Sequence, residues 1–313
     1  MDILQQLLNA LPGSVSQGLI WGIMAIGVYV TYRILDIADL TVDGSLATGG
    51  AVFIVLNAAG VPTILGLLIA FLAGCLAGFI TGIMHTAFGI QPILAGILTQ
   101  LMLWSINFKI MGRSNQPLSN ETFVTMNIER LGFTITWMLL ICVGIVALLY
   151  FFFGTELGCA IRATGNNESM SKAQGINVSF NKVLGLMLSN GLVALSGAFL
   201  AQYNGAADIK MGAGAIVIGL AAIVIGTTII SKLTSNFALT LTGTVVGAII
   251  YFSIYQFVVN LNVDSNLLKM LSAVVVFIFL AAPYVKKNYF HNIKFKKKVA
   301  EAASSVEGGK DNA

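Results

Sequence analysis

Apolar runs near bilayer length, one after another, decide what this chain can be. A helix rises about 1.5 Å per residue, so about 20 apolar residues cross a hydrocarbon core of about 30 Å. Runs of that order recur at 14–35, 46–60, 62–88, 91–111, 132–154, 182–203, 213–231, 235–261 and 266–286. Only 10% of the 313 residues are charged, against about 25% in a soluble domain. A chain so poor in charge has no surface with which to wrap these runs in water. The pattern predicts an all-α polytopic membrane protein of about eight to ten transmembrane helices.

The remaining composition closes off other classes. Cys75, Cys142 and Cys159 form no disulfide framework or CxxC pair, and His85 and His291 have no i+3 or i+4 partner for a zinc motif, so no metal site is expected. The net charge of +4 is no nucleic-acid signal, because six of the 17 Lys and Arg residues fall between Lys286 and Lys298. That cluster reads as a membrane-flanking tail. Residues 1–286 form one membrane domain on this reading, and 287–313 a basic, then polar, flexible tail. Met1 to Gln17 lacks the basic start and small-residue cleavage site of a signal peptide and reads as an amphipathic lead-in on the membrane surface.

Placing the basic tail inside and alternating backward leaves Lys109, Arg113, Arg130, Lys210 and Lys269 outside and every other Lys and Arg inside, as the positive-inside rule favours. Two stretches break the spanning pattern in corresponding positions of two halves. Thr41 to Gly50 and Lys210 to Gly214 each place glycine and polar residues at the mouth of an apolar run. Paired interruptions of this kind point to unwound backbone along a path between internal repeats. The spaced glycines Gly74, Gly78 and Gly82, and Gly243 and Gly247, read instead as small-xxx-small helix contacts.

Asp36, Asp39 and Asp43 follow the first span with only Arg33 as a nearby cation. Carboxylates at membrane depth are costly unless paired or hydrated and therefore mark candidate pathways. With Thr41 and Ser45 between and beside them, Asp39 and Asp43 become path candidates, together with the span residues Gln91, Gln100, Asn190 and Gln202. No enzyme constellation accompanies them. GxSxG, HExxH and GxxxxGK[ST] are absent, and Ser189 and Ser196 have no His or Lys on a neighbouring span to activate them. Any ATP must be held by another chain.

The longest polar interval inside the apolar region runs from Gly154 to Lys182. Glu156 to Thr164 reads as a short helix, Gly165-Asn166-Asn167 as a turn, and Glu168 to Gln174 as a second helix stopped by Gly175. A connection between two spans needs only a few residues, so this structured knob reads as a docking surface.

At this point the sequence resembles a known family. Arg162-Ala-Thr-Gly-Asn-Asn-Glu168, followed by Gln174-Gly-Ile-Asn177, is similar to the coupling-helix loop of ABC-importer permeases of the branched-chain amino acid and ribose type. Asp39-Leu-Thr-Val-Asp-Gly-Ser45 and the glycine-rich run from Gly212 to Gly226 extend the resemblance, which reaches to about Pro283. Tyr32-Arg-Ile-Leu-Asp36, Leu94-Ala-Gly-Ile-Leu98 and Ser105-Ile-Asn-Phe-Lys-Ile-Met-Gly-Arg113 look like a branch associated with tryptophan and tyrosine uptake. Asp43 is an insertion relative to the sugar branch, which counts against a sugar cargo.

The resemblance implies two pseudo-repeated halves with broken helices and a permease in a bacterial cytoplasmic membrane. It also implies a second permease subunit, two ATP-binding subunits carrying ATP and Mg, and an extracytoplasmic solute-binding protein. This chain itself would hold no cofactor. Arg162, Gly165, Asn166, Glu168 and Gly175 would face the ATPase, and the cargo would be an amino acid, aromatic or branched-chain. An ion-coupled secondary transporter using Asp39 or Asp43, and an ABC permease for a sugar or nucleoside, stand as alternatives.

Overall fold

A computed structural model describes residues 3–119, 131–230 and 236–260, together with Met270, Ala273, Val274, Phe277 and Ala281. Its elements run in chain order as α1 (Ile3–Tyr29), a π-helical turn (Val30–Ile34), α2 (Thr41–Ala58), α3 (Thr63–Thr86), α4 (Pro92–Met111), β1 (Asn115–Pro117), α5 (Leu131–Gly154), α6 (Glu156–Asn166), α7 (Glu168–Ala173), α8 (Val178–Asn204), β2 (Ala206–Asp208), α9 (Ala215–Ile230) and α10 (Phe237–Asn260). Seven stretches among the described residues are long and apolar enough to cross a membrane. They lie in α1 with its π turn, α2, α3, α4, α5, α8 and α10, while α9 is apolar but shorter. The five described positions after Ser265 are helical; the span expected at 266–286 otherwise lies outside the described residues, as does the tail at 287–313.

Small residues set how closely these helices approach. Glycines let membrane helices bring their backbones together, and α3 packs along α8 in this way. A Cβ at Gly74 would run into the Asn190 carbonyl and one at Gly78 into that of Leu186, while Gly82 meets Val183. The same occurs between α9 and α10, where Gly226 lies against the Gly243 carbonyl and Gly247 against that of Ala222. Gly18 and Gly22 seat α1 on Ile249 and Val245 of α10. The falling and rising residue numbers in these contacts make α3 antiparallel to α8, and α10 antiparallel to α1 and α9. Serines add hydrogen bonds between α8 and α1, Ser189 Oγ donating to the Gly27 carbonyl at 2.7 Å and Ser196 Oγ to that of Ile20 at 2.8 Å.

Two ends of the bundle follow from this packing. One end carries Arg33, His85, the α6–α7 knob and the start of α10 at Phe237. The other carries the ends of α2, α4 and α8, where Ala51, Ile54, Met111, Ala201, Ala207 and Ile209 form one apolar cluster under the antiparallel β1–β2 pair. Arg33, Arg162, Lys172 and Lys182 lie toward the knob end, and Lys109, Arg113 and Lys210 toward the opposite one. Outward faces of α3, α4 and α5 expose large apolar side chains such as Leu68, Leu72, Leu76, Leu101, Leu140 and Phe151. Those faces suit a hydrocarbon environment and would be untenable in water.

Several boundaries differ from those expected of the sequence. The stretch expected as a lead-in is continuous with the first span, since α1 runs from Ile3 without a break and the apolar stretch within it begins at Ala10. The second span starts at Thr41 rather than at 46, so Thr41 to Gly50 is helical and not unwound. Its glycines make packing contacts: Gly44 with Gln100 and Leu103, Gly49 with the Ala194 carbonyl, Gly50 with Met211. The unwound backbone lies just before, at Leu35–Leu40. The second interruption is where it was expected, since residues 209–214 form turns and α9 begins only at Ala215. In the knob, Gly165 belongs to α6 rather than to a turn.

Candidate functional site

The interior break is built by the end of α1. There the helix widens to a π turn, with Leu35 N–H donating to the Val30 carbonyl at 3.1 Å and Ile37 N–H to that of Thr31 at 3.0 Å. Such turns often mark functional positions. Asp36 follows with a positive φ of 55°, a left-handed conformation that aspartate tolerates better than most residues. The chain then re-enters the bundle, and Asp39 ends the reversal. One of its carboxylate oxygens accepts from the Thr41 N–H at 2.9 Å at the start of α2, and the other from Asn190 Nδ2 at 2.7 Å.

Asn190 lies 12 residues into α8, about 18 Å along its axis at 1.5 Å per residue, so α2 begins inside the bundle. Its amide joins three elements. Besides donating to Asp39, Nδ2 donates to the Leu186 carbonyl at 3.0 Å, and Oδ1 accepts from Ser45 Oγ at 2.6 Å. A row of hydroxyls continues sideways: Thr41 to Thr81 at 2.8 Å, Thr81 to Thr99 at 2.9 Å, and Thr99 to the Ala95 carbonyl at 3.0 Å. Asp39, Thr41, Ser45, Thr81, Thr99 and Asn190 are all buried. Each polar group has a partner, as a low-dielectric interior requires.

Asp43 does the equivalent work for the second broken helix. One oxygen of its carboxylate accepts from the Gly214 N–H at 2.9 Å and the other from the Ile216 N–H at 3.0 Å, 171 and 173 residues away in sequence. A carboxylate here satisfies amides that the start of α9 leaves without helical partners and complements the helix dipole. Gly214 has φ of 85°, open to glycine, and a Cβ on Gly212 would run into the Asp43 carbonyl. Both aspartates therefore stand at the N-termini of helices that start within the bundle, one for each interruption.

The other sequence-derived path candidates are scattered. Gln100 is half-buried on α4, beside Gly44. Gln91 is exposed at the start of α4, at the knob end. Gln202 is buried near the far end of α8, 12 residues beyond Asn190. Thr81 and Thr99 were missed by sequence reasoning; a threonine within an otherwise apolar run was the only signal the sequence offered for them. The Gly214 and Ile216 amides, being backbone, carried none.

The knob folds as its sequence suggests. Thr155 caps α6 by accepting from Gly158 N–H at 3.3 Å, Asn167 caps α7 through Met170 N–H at 2.9 Å, and Asn177 caps α8 through Phe180 N–H at 3.0 Å. Gly175, with φ of 77°, turns the chain out of α7. Glu168 accepts from Lys172 at 2.9 Å and from Lys182 at 2.8 Å. Those two ammonium groups hold its carboxyl down to about 2, against an ordinary value of 4.5. Lys182 also approaches His85 Nε2 at 3.5 Å, which connects α7 through α8 to the end of α3. A Cβ on Gly165 would run into the Ile34 carbonyl, so α6 rests on the π turn itself. Arg162 stacks on Phe237 at 5.2 Å, and Asn166 is exposed. The knob is thus in direct contact with the element that leads into Asp39.

Several known proteins are similar to this chain. Residues 11–281 match the family model described as the permease component of branched-chain amino acid transport systems. The chain is 40% identical over 298 residues to the tyrosine transport system permease protein of Clostridioides difficile, covering 95% of this chain and 97% of that one. It is 28% identical over 202 residues to the ribose import permease protein of Escherichia coli, covering 61% and 60% of the two chains. Among solved structures, PsaBC from Streptococcus pneumoniae in complex with Fab aligns with a TM-score of 0.48 at 17% identity, over 92% of this chain and 96% of that one.

Proposed function

Because the chain belongs to the family of permease components of branched-chain amino acid transport systems, we propose that it serves an ATP-driven importer whose cargo is an aromatic amino acid. In this reading two copies of the chain form one path across a bacterial cytoplasmic membrane. Two ATP-binding subunits, which hold ATP and Mg, engage the α6–α7 knobs, and a solute-binding protein delivers cargo at the opposite end. Arg162, Gly165, Asn166, Glu168 and Gly175 belong to the coupling surface.

The observation that carries the reading is the seat of the knob on the π turn. Movement of α6 by an ATPase is transmitted through Gly165 and Ile34 to the Leu35–Leu40 segment, and from there to Asp39, Asn190 and the start of α2. Tyrosine leads the cargo order because the 40% identical relative is named for it; branched-chain amino acids follow, then sugars and nucleosides. Asp39 and Asp43 each accept hydrogen bonds at the start of a helix, which supports a structural part for both.

Co-purification tests the coupling role. The wild-type chain should retain its ATP-binding subunit through size-exclusion chromatography, and Glu168→Lys should lose it while remaining monodisperse. Wild-type retention by Glu168→Lys, with wild-type ATP turnover, would remove the knob from the coupling surface.

A further inference from the structure

Where the knob meets the bundle, the π turn, α6 and the start of α10 line an open cavity of about 770 Å³. We propose that this cavity binds a free aromatic amino acid at the knob end, a second site distinct from the interior network. The inference rests on the reading of the chain as an amino acid permease and names where released cargo is held.

The lining supplies each group such a ligand presents. Arg33 and Arg162 bring two guanidinium groups, which bind a carboxylate through paired, charge-assisted hydrogen bonds. Asp36 brings one carboxylate for an ammonium group. Among the described residues, Arg33, Asp36 and Arg162 have no ion-pair partner; the ion pairs there are those of Glu168 with Lys172 and Lys182. Arg33 and Asp36, with two residues between them, make no direct ion pair, and both are exposed. Tyr29, Tyr32 and Phe237 provide the aromatic wall, with the Tyr29 and Phe237 rings 6.5 Å apart. The positive φ of Asp36 belongs to the chain reversal that places this carboxylate beside the cavity.

An anionic phospholipid headgroup is the competing occupant, since basic pockets beside membrane helices take such groups. Asp36 argues against it, because a carboxylate repels a phosphodiester but pairs with an ammonium. The cavity volume also lies within the range of small-molecule sites, about 300–1,000 Å³. One wall is α6, so an occupant touches the knob as well as α1 and α10.

The test is equilibrium binding to the purified full-length chain in phosphatidylcholine nanodiscs, without partner subunits. The probes are L-tyrosine, tyramine, which lacks the carboxylate, and 3-(4-hydroxyphenyl)propanoate, which lacks the ammonium. L-tyrosine should bind at least about tenfold more tightly than either analogue, a difference of about 1.4 kcal/mol. Asp36→Asn, which keeps a residue tolerant of positive φ, should weaken L-tyrosine and tyramine and spare the propanoate. Arg33→Gln should weaken L-tyrosine and the propanoate and spare tyramine. Equal affinity for the three probes, or parallel losses in both variants, would overturn the proposal. So would tighter retention of phosphatidylglycerol by Asp36→Asn with L-tyrosine binding unchanged, which would assign the cavity to lipid. A complex that imports no amino acid would instead refute the transport reading, a result separate from this binding measurement.

Discussion

Replacing Asp43 separates two roles that a carboxylate near a transport path can play. Its oxygens receive the Gly214 and Ile216 amides at 2.9 and 3.0 Å, so Asp43→Ala strips both acceptors from the start of α9. Loss of a capping side chain costs about 0.5–2 kcal/mol, and a buried donor left unsatisfied about 1–3 kcal/mol. Gly214 is exposed and can turn to water, so the combined effect is set near about 1–3 kcal/mol. With about 2–4 °C of melting temperature for each kcal/mol in chains of comparable size, purified Asp43→Ala should melt several degrees below wild type. Asp43→Asn keeps one acceptor and should fall between them. The assay is thermal unfolding in detergent beside uptake by the reconstituted complex. Uptake should decline in the order of the melting temperatures. A wild-type melting temperature for Asp43→Ala with abolished uptake would refute the capping argument and return Asp43 to direct contact with cargo.

Asn190→Leu removes the donor to Asp39 and the acceptor of Ser45. It should cost at least about 1–3 kcal/mol, the penalty of one buried group left unsatisfied, because two partners are lost at once, and should lower the yield of monodisperse protein measured by gel filtration. Gly165→Val should be destabilising by about 1–3 kcal/mol through overpacking, since its Cβ meets the Ile34 carbonyl; the melting temperature and ATPase retention should fall together. Glu168→Gln tests the knob's ion pairs. A carboxyl held at about 2 against 4.5 contributes stability that is present above pH 4.5 and is lost as pH falls toward 2. Its side chain is 43% exposed, so solvent screening limits the effect to about 1 kcal/mol or less. The melting-temperature gap between wild type and Glu168→Gln should stay constant from pH 8 to 5 and close below that.

Hydropathy was enough to locate α3, α4 and α5, because their outer faces meet lipid and must be apolar; α8 and α10 are more enclosed and were found because their runs are apolar overall. It misplaced the start of α2, where Thr41, Asp43, Gly44 and Ser45 are polar or small. A helix enclosed by other helices has no need of an apolar surface, and that start is wrapped by α3, α4 and α8. The glycines at 44, 49 and 50 were read as loosening the backbone, yet they mark close contacts with α4, α8 and Met211. Gly165 misled in the same way, since a glycine at a helix contact and a glycine in a turn look alike in one dimension. The acids Asp39 and Asp43 stood out as unusual from composition alone. Their partners did not, because Asn190 is 151 residues from Asp39, and the amides of Gly214 and Ile216 carry no side-chain signature. The knob was legible almost to the residue, since its caps, its Glu168–Lys172 spacing and its closing glycine are local.

The central claim is that this chain moves cargo only when an ATPase moves its knob. The most direct measurement is initial uptake of labelled L-tyrosine by proteoliposomes holding the permease, its ATP-binding subunits and the solute-binding protein, with and without ATP. The account predicts uptake that requires ATP and all three components and is lost when Glu168→Lys replaces the wild-type chain. Uptake by the permease alone, driven by a proton or sodium gradient and indifferent to ATP, would contradict it.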